Sequence, residues 1–262
     1  MASVKKFGLG PGRILVGVDA GTVTSTVASD ISATDTEIQL ASTADFNLWG
    51  GIVLLDNGTQ TERIYYATKD DTTNKLIGCI RGFDGTTALA WTVSTATPIN
   101  ASLLYKDLGD THGGVKITAS ESSTELKTDQ AGDTPVDEVI SGTAVSLEGS
   151  LAQLDLENFA LIFKTSVQTN SAGYKYVEIK PNVGVSVLGL AKKVKFIPYK
   201  SSETGSALST DPEDQFFLRL AGVVAKPELT YDSNTQRALN VTFKGFPDAT
   251  GVIGSFGADP QG

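Results

Sequence analysis

The chain is poor in the residues that most enzyme chemistry needs. Its 262 residues include one histidine, His112, one cysteine, Cys79, and one methionine, Met1. A lone cysteine excludes an internal disulfide, which fits a protein made and assembled in a reducing cytoplasm. With no histidine near it in the sequence, Cys79 reads as a buried strand residue and not as a nucleophile. Long apolar runs are missing too. Val183 to Ala191 is too short to span a bilayer and Ile14 to Val18 too short for a signal-peptide core, so neither a membrane anchor nor secretion is expected. Without secretion, the sequons at Asn100 and Asn240 carry no meaning. Clustered positive charge is also lacking, and a net charge of -9 argues against a nucleic-acid-binding surface.

What the chain does have is Gly, Ser and Thr in abundance and alternating apolar residues, the profile of a mainly β protein. Period-two alternation marks strands at Gly114 to Ala119, Tyr174 to Ile179, Lys193 to Ile197 and around Leu239, Val241 and Phe243. A block from about Thr26 to Leu104 has its own punctuation, with a hairpin turn at Leu55 to Gly58, and is expected to form four to six short strands. One helix is expected: Ser150 and Gln153 form a capping box, and Leu151, Leu154, Phe159, Ile162 and Phe163 recur at helical spacing up to Lys164. Lys200 to Asp214 lacks periodicity and reads as a polar loop.

Charge is divided along the chain. Eleven acids against Lys116 and Lys127 give Asp107 to Glu157 a balance of -9, while seven lysines against Glu178 give Phe159 to Lys200 a balance of +6. Opposite segments on one protomer can pair head to tail with copies of themselves. The candidates for such contacts are Asp129, Asp133, Asp137 and Glu138 on one side and Lys192, Lys193 and Lys195 on the other.

Catalytic readings find little support. Gly109 to Gly113 matches the G-D-x-H-G pattern of two-metal phosphoesterases, but that chemistry needs several histidines and carboxylates, and His112 stands alone. A Ser-His-Asp triad would need the same histidine and finds no G-x-S-x-G elbow. Gly8, Gly10 and Gly12 lack the spacing of a phosphate loop, and Asp129 to Glu138 lacks a calcium-loop pattern. The latter reads as a turn leading into a strand around Val139 and Ile140. Trp49, Phe83 and Trp91 offer a sugar platform, against the simpler reading of a small module's core. No catalytic residue, metal or cofactor is expected.

The surroundings of His112 point elsewhere. Leu108-Gly109-Asp110-Thr111-His112-Gly113-Gly114-Val115 resembles the L-G-D-T-x-G-G-V segment of the major tail tube proteins of long-tailed bacteriophages. Asp129 to Val136, which reads DQAGDTPV, is similar to that family's D-Q-x-G-x-T-P-V, and a strand and the LAQLDLENFALI segment follow. Glu228 to Asp232 and Gln236 to Asp248 resemble its closing strands, and Gly10 to Val16 its opening strand. The likeness spans about residues 8–20 and 105–257, in family order. Family members join the opening strand to L-G-D-T by a short loop, whereas here about eighty residues intervene. Those residues resemble small β modules of other phage structural proteins through Thr61 to Tyr66 and Leu76 to Thr87, with Trp91 where a histidine is expected.

The resemblance implies a tail-tube-type β-sandwich or open barrel with one flanking α-helix, its core made of 1–25 and 105–262, and a small all-β domain inserted at 26–104 and projecting outward. It implies a virion structural protein: hexameric rings stack into a hollow tube, the conduit for DNA ejection, assembled in the bacterial cytoplasm. The partners would be other copies of itself and the tail terminator, tape measure and baseplate proteins. Double-stranded DNA would pass without specific binding, helped by a lumen lined with carboxylates. A distal tail or baseplate ring protein, or the tube of a phage-like contractile injection system, is the alternative. Leu108, Gly109, Asp110, Thr111, Gly113 and Gly114 are the turn and assembly candidates. The paired glycines permit a tight turn or a close backbone approach, and His112 is expected to tolerate substitution.

Overall fold

The computed structural model of the chain describes residues 11–130, 132–202, 205–224 and 238–258. The N-terminal arm with Gly8 and Gly10, Ala131, and the segment Glu228 to Asp232 with Gln236 and Arg237 lie outside the described residues. The fold is mainly β with large antiparallel sheets. In chain order the first strands are β1 (Gly12–Gly17), β2 (Thr24–Thr26), β3 (Glu37–Gln39), β4 (Gly51–Asp56), β5 (Thr61–Tyr66), β6 (Thr68–Asp70), β7 (Lys75–Ile77) and β8 (Asn100–Asp107). Then come β9 (Thr111–Leu126), β10 (Asp137–Leu151), the helix α1 (Leu156–Ile162), β11 (Val167–Thr169) and β12 (Lys175–Val177). Last are β13 (Lys192–Ser202), β14 (Gly205–Leu208), β15 (Phe216–Val223), β16 (Leu239–Phe246) and β17 (Gly254–Phe256).

One sheet of 12 strands carries most of these, in the order β5-β4-β8-β1-β13-β15-β16-β10-β9, with β2, β14 and β17 attached to its side. Its centre is buried on both faces. On β1, Ile14 and Val16 enter one core with Leu147, Leu218 and Phe243, while Leu15 enters another with Ile52, Phe83 and Phe217. Alternation therefore sorts one strand's side chains into two apolar clusters instead of an inside and an outside.

The segment 26–104 has an apolar cluster of its own, including Ile38, Leu55, Tyr66 and Trp91. Its strands β4 and β8 are nevertheless continuous with the main sheet, since β8 pairs with β4 on one side and β1 on the other. The expected boundary at 104/105 falls inside β8. The hairpin turn is where the punctuation placed it: Gly58 adopts φ +84° and donates its N–H to Asp56 Oδ1 at 2.6 Å.

Three local expectations are corrected. The helix does not start at Ser150. That residue and Leu151 are the last residues of β10, paired with Asn240 and Leu239 of β16, and Leu151 is fully buried. Sheet pairing on two sides outweighs a capping box, and the helix begins only after Asp155, whose carboxylate accepts the Asn158 N–H at 2.7 Å. The apolar stripe holds, because Leu154, Phe159 and Ile162 pack on the core beside Leu147. The presumed loop after Lys200 instead contains the end of β13 and the strand β14, which pair antiparallel with Tyr199 opposite Leu208 and Leu208 buried. Finally, the strand expected over Tyr174 to Ile179 shrinks to β12, half of a small two-stranded sheet with β11.

Candidate functional site

The segment around the L-G-D-T residues lies where β1, β8, β9, α1 and the 26–104 segment meet. Leu108 N–H donates to Ile14 O at 3.0 Å, and Leu108 O accepts from Asn158 Nδ2 at 3.0 Å. Gly109 sits at φ +91°, and a Cβ there would lie 2.5 Å from Gln153 Oε1, so only glycine fits the bend. Asp110 takes an ion pair from Arg13 at 2.8 Å and a hydrogen bond from Gln153 Nε2 at 2.8 Å. Thr111 Oγ1 donates to Gly12 O at 3.2 Å. These residues tie the opening strand to the helix from within one chain.

The centre of this junction is Asp107, one of eleven acids between Asp107 and Glu157 and not marked out among them by any motif. Its side chain is 0% exposed. Tyr65 OH donates to Oδ2 at 2.8 Å, Gly109 N–H donates to Oδ1 at 2.8 Å, and Arg13 Nε stands 3.8 Å away. Burial pushes this carboxyl up to about 7, against the pull of Arg13 and of both hydrogen bonds. Arg13 Nε itself donates to Tyr199 OH at 2.8 Å, and Asn47 Nδ2 reaches Asp107 O at 2.7 Å. The signal for Asp107 was its place: it occupies an inward position in the alternating pattern of β8, where an apolar residue is expected.

From this junction the hairpin β9–β10 leaves the sheet. β10 pairs with β16 only from Ser146 to Leu151, so the outer part of the hairpin has no third strand among the described residues. Every described residue from Ala119 to Ala144 is exposed. At strand spacing, the eight residues from Ala119 to Leu126 make an arm about 25 Å long. Leu126, Val136, Val139 and Ile140 are 45–59% exposed on it. Asp129, Asp133, Asp137 and Glu138 are exposed at its far end, where Lys127 stands 3.9 Å from Asp133. Strand β10 does begin where the turn from Asp129 was expected to lead.

At the arm's root, Gly113 and Gly114 both adopt positive φ, +76° and +88°, where the register shifts between Gly149 and Ser150. Glycine is needed there for the bulge. Among the described residues nothing lies within 4 Å of a Cβ built at either, so they show the tight turn and not the close approach offered as an alternative. His112 is exposed, and no group of three metal-ligating side chains occurs among the described residues.

The lysine candidates separate. Lys195 is 2% exposed and bonds Asp84 at 2.7 Å, which removes it from any contact between copies. Sheet register explains this: Lys195 lies opposite Leu15 and Phe217, on the face of the second core. Lys192 is tied to Asp19 at 2.5 Å. Lys193 is exposed and has no carboxylate partner among the described residues.

The motifs of the 26–104 segment converge on Glu62, which is fully buried. Arg81 clamps it through Nε and Nη2 at 2.9 and 2.8 Å, and Trp91 Nε1, Gly82 N–H and Leu89 N–H add bonds of 2.7, 2.9 and 3.2 Å. Burial raises this carboxyl, but the donors outweigh it and hold it below the usual range. Trp91 and Phe83 are 2% and 0% exposed, which settles them as core and removes the sugar platform. Trp49 is half-buried and donates to Asp155. The chain matches no protein-family model, and no curated protein matches it in sequence.

Proposed function

We propose that this chain is a virion structural protein, whose hexameric rings stack into the hollow tail tube through which a long-tailed bacteriophage ejects its DNA. The observation that carries this reading is the β9–β10 arm. A two-stranded ribbon about 25 Å long with no covering layer among the described residues is marginal in water, and burial against another copy gives its backbone edge and apolar residues a partner. Val139 and Ile140 on the arm supply apolar area, and the acids at its end supply charge to orient it. The six-fold ring and the DNA conduit come from the likeness of the L-G-D-T and D-Q-x-G-x-T-P-V segments. The segment 26–104 is placed on the outside of the tube, because a body of that size does not fit a channel for one duplex.

Negative-stain images of the purified chain test the proposal. Long uniform tubes are expected, and the double variant Val139→Asp, Ile140→Asp should leave a folded chain that forms none. Isolated rings without tubes would favour the distal tail or baseplate ring reading. A chain that stays monomeric at all concentrations would overturn the proposal.

A further inference from the structure

The hairpin turn between β4 and β5 holds the one Asn-Gly pair of the sequence, Asn57-Gly58. A backbone nitrogen that follows an asparagine can attack that asparagine's own side chain. Gly58 N and Asn57 Cγ would close a five-membered ring, and glycine puts no Cβ beside the attacking nitrogen.

The turn places around this pair the groups that such an attack needs. Asp56 Oδ1 accepts the Gly58 N–H at 2.6 Å, so a carboxylate sits on the proton that must leave the nucleophile. Asn57 Oδ1 accepts two N–H groups, from Thr59 at 3.0 Å and from Gln60 at 2.9 Å. These donors fix the amide with Oδ1 toward them, which makes Nδ2 the leaving nitrogen. They also stand where negative charge would collect on Oδ1 as Cγ becomes tetrahedral, the arrangement of an oxyanion hole.

Local structure explains the arrangement. Asp56 is the last residue of β4, opposite Thr61 of β5, and Asn57 N–H donates to Gln60 O at 3.3 Å across the loop. Gly58 turns the chain between them at φ +84°. Gly58, Thr59 and Gln60 are exposed, so water reaches the turn. Asn170 offers a comparison inside the same chain. Its Oδ1 also accepts two N–H groups, from Ala172 at 3.0 Å and Tyr174 at 2.9 Å, but Thr169 precedes it and Ser171 follows it in place of the aspartate and the glycine.

We infer that Asn57 is a self-modifying site, converted to aspartate and isoaspartate by the turn that holds it. Gly58 N bonds to Asn57 Cγ while its proton passes to Asp56 and on to Nδ2; the Cγ–Nδ2 bond breaks and ammonia leaves. The cyclic imide then takes up one water. Attack of water at Cγ gives aspartate, and attack at the backbone carbonyl carbon gives isoaspartate, whose chain runs through Cβ and Cγ. No oxidant or reductant is needed. Either product adds one negative charge, and isoaspartate lengthens the backbone of the loop that sets the register of β5, the strand at one end of the large sheet's order. The site does not depend on tube formation.

The test follows the intact chain in warm neutral buffer, folded and in urea, by peptide mapping with mass spectrometry and fragmentation that separates aspartate from isoaspartate. In the folded wild type Asn57 should convert well ahead of Asn170 and give both products. Asn57→Gln must close a six-membered ring and should lose the signal. Asp56→Ser keeps an acceptor for the Gly58 N–H but removes the base, and should slow conversion roughly tenfold, less than an enclosed base is worth because the turn is open to water. Urea, which dissolves the turn, should slow it as well, and that comparison needs no variant. Conversion at Asn57 that is no faster in the folded wild type than in urea, or no slower in Asp56→Ser, would mean that the dipeptide alone sets the rate, and the inference is overturned.

Discussion

Replacing Asp107 with asparagine should change how the stability of this chain depends on pH, in a direction that the junction dictates. The carboxyl is fully buried, and burial raises it to about 7 in the folded chain, while an unfolded aspartate titrates near its ordinary value of about 3.9. Between those values the folded state holds a proton that the unfolded state has released. Stability from this group is therefore complete below about pH 4 and declines as pH rises to 7. At about 1.4 kcal/mol per pH unit, and allowing for partial titration at both ends, the loss from pH 4.5 to 6.5 is about 2.5 kcal/mol. For a chain of this size that corresponds to roughly 5 to 10 °C in melting temperature.

Asparagine keeps the shape, can accept the Gly109 N–H and can donate to Tyr65, while Arg13 retains Asp110 at 2.8 Å. The variant is neutral at every pH and lacks the decline. Melting curves of both proteins at half-unit steps from pH 4.5 to 6.5 isolate the effect, because the other carboxylates are common to both. The advantage of the wild type over the variant should shrink as pH rises. A constant difference would mean that Asp107 does not titrate in this range. A difference that widens with pH would mean that Arg13 and the hydrogen-bond donors outweigh burial, and would refute the reasoning.

Gly114→Val puts a β-branched residue at φ +88° and should lower stability by about 1–3 kcal/mol in chemical denaturation, whereas His112→Ser, at an exposed position, should change it by less than about 0.5 kcal/mol. Glu62→Gln leaves the Arg81 guanidinium without its buried counter-charge and should cost about 3–5 kcal/mol, seen as an early loss of Trp91 fluorescence signal on heating. Asp155→Ala removes the cap of α1 and the acceptor of Trp49 Nε1, with an expected cost of about 1–2 kcal/mol by the same denaturation assay.

Alternation and turn residues were enough to find several strands of the sheet, though not the buried central strand β15. The strands around Val115, Lys193 and Leu239, the turn at Gly58 and the apolar stripe of the helix all lie where periodicity and composition put them, because each of these signals is local. Where a helix begins is less local. Ser150 and Gln153 satisfy a capping pattern, yet Leu151 is held by β16, a strand about ninety residues further on. The polar text after Lys200 hid β14 for a similar reason, since its pairing to β13 supplies an order that its composition does not announce.

By itself, the sequence determined a mainly β chain with a polar turn leading into a strand around Val139 and Ile140, glycines at turns, and a single histidine. Only the tertiary structure decided the environment of each charge. Lys192, Lys193 and Lys195 are near neighbours in a basic segment, yet one is ion-paired at the surface, one has no carboxylate partner among the described residues and one is buried on Asp84. Asp107 and Glu62 are buried among donors of which Tyr65, for the first, and Arg81, Leu89 and Trp91, for the second, arrive from other strands and turns. The pattern of a strand states which side chains share a face. Which neighbours that face meets is fixed by pairing at long range, and burial, proton affinity and the open edge of the arm all follow from it.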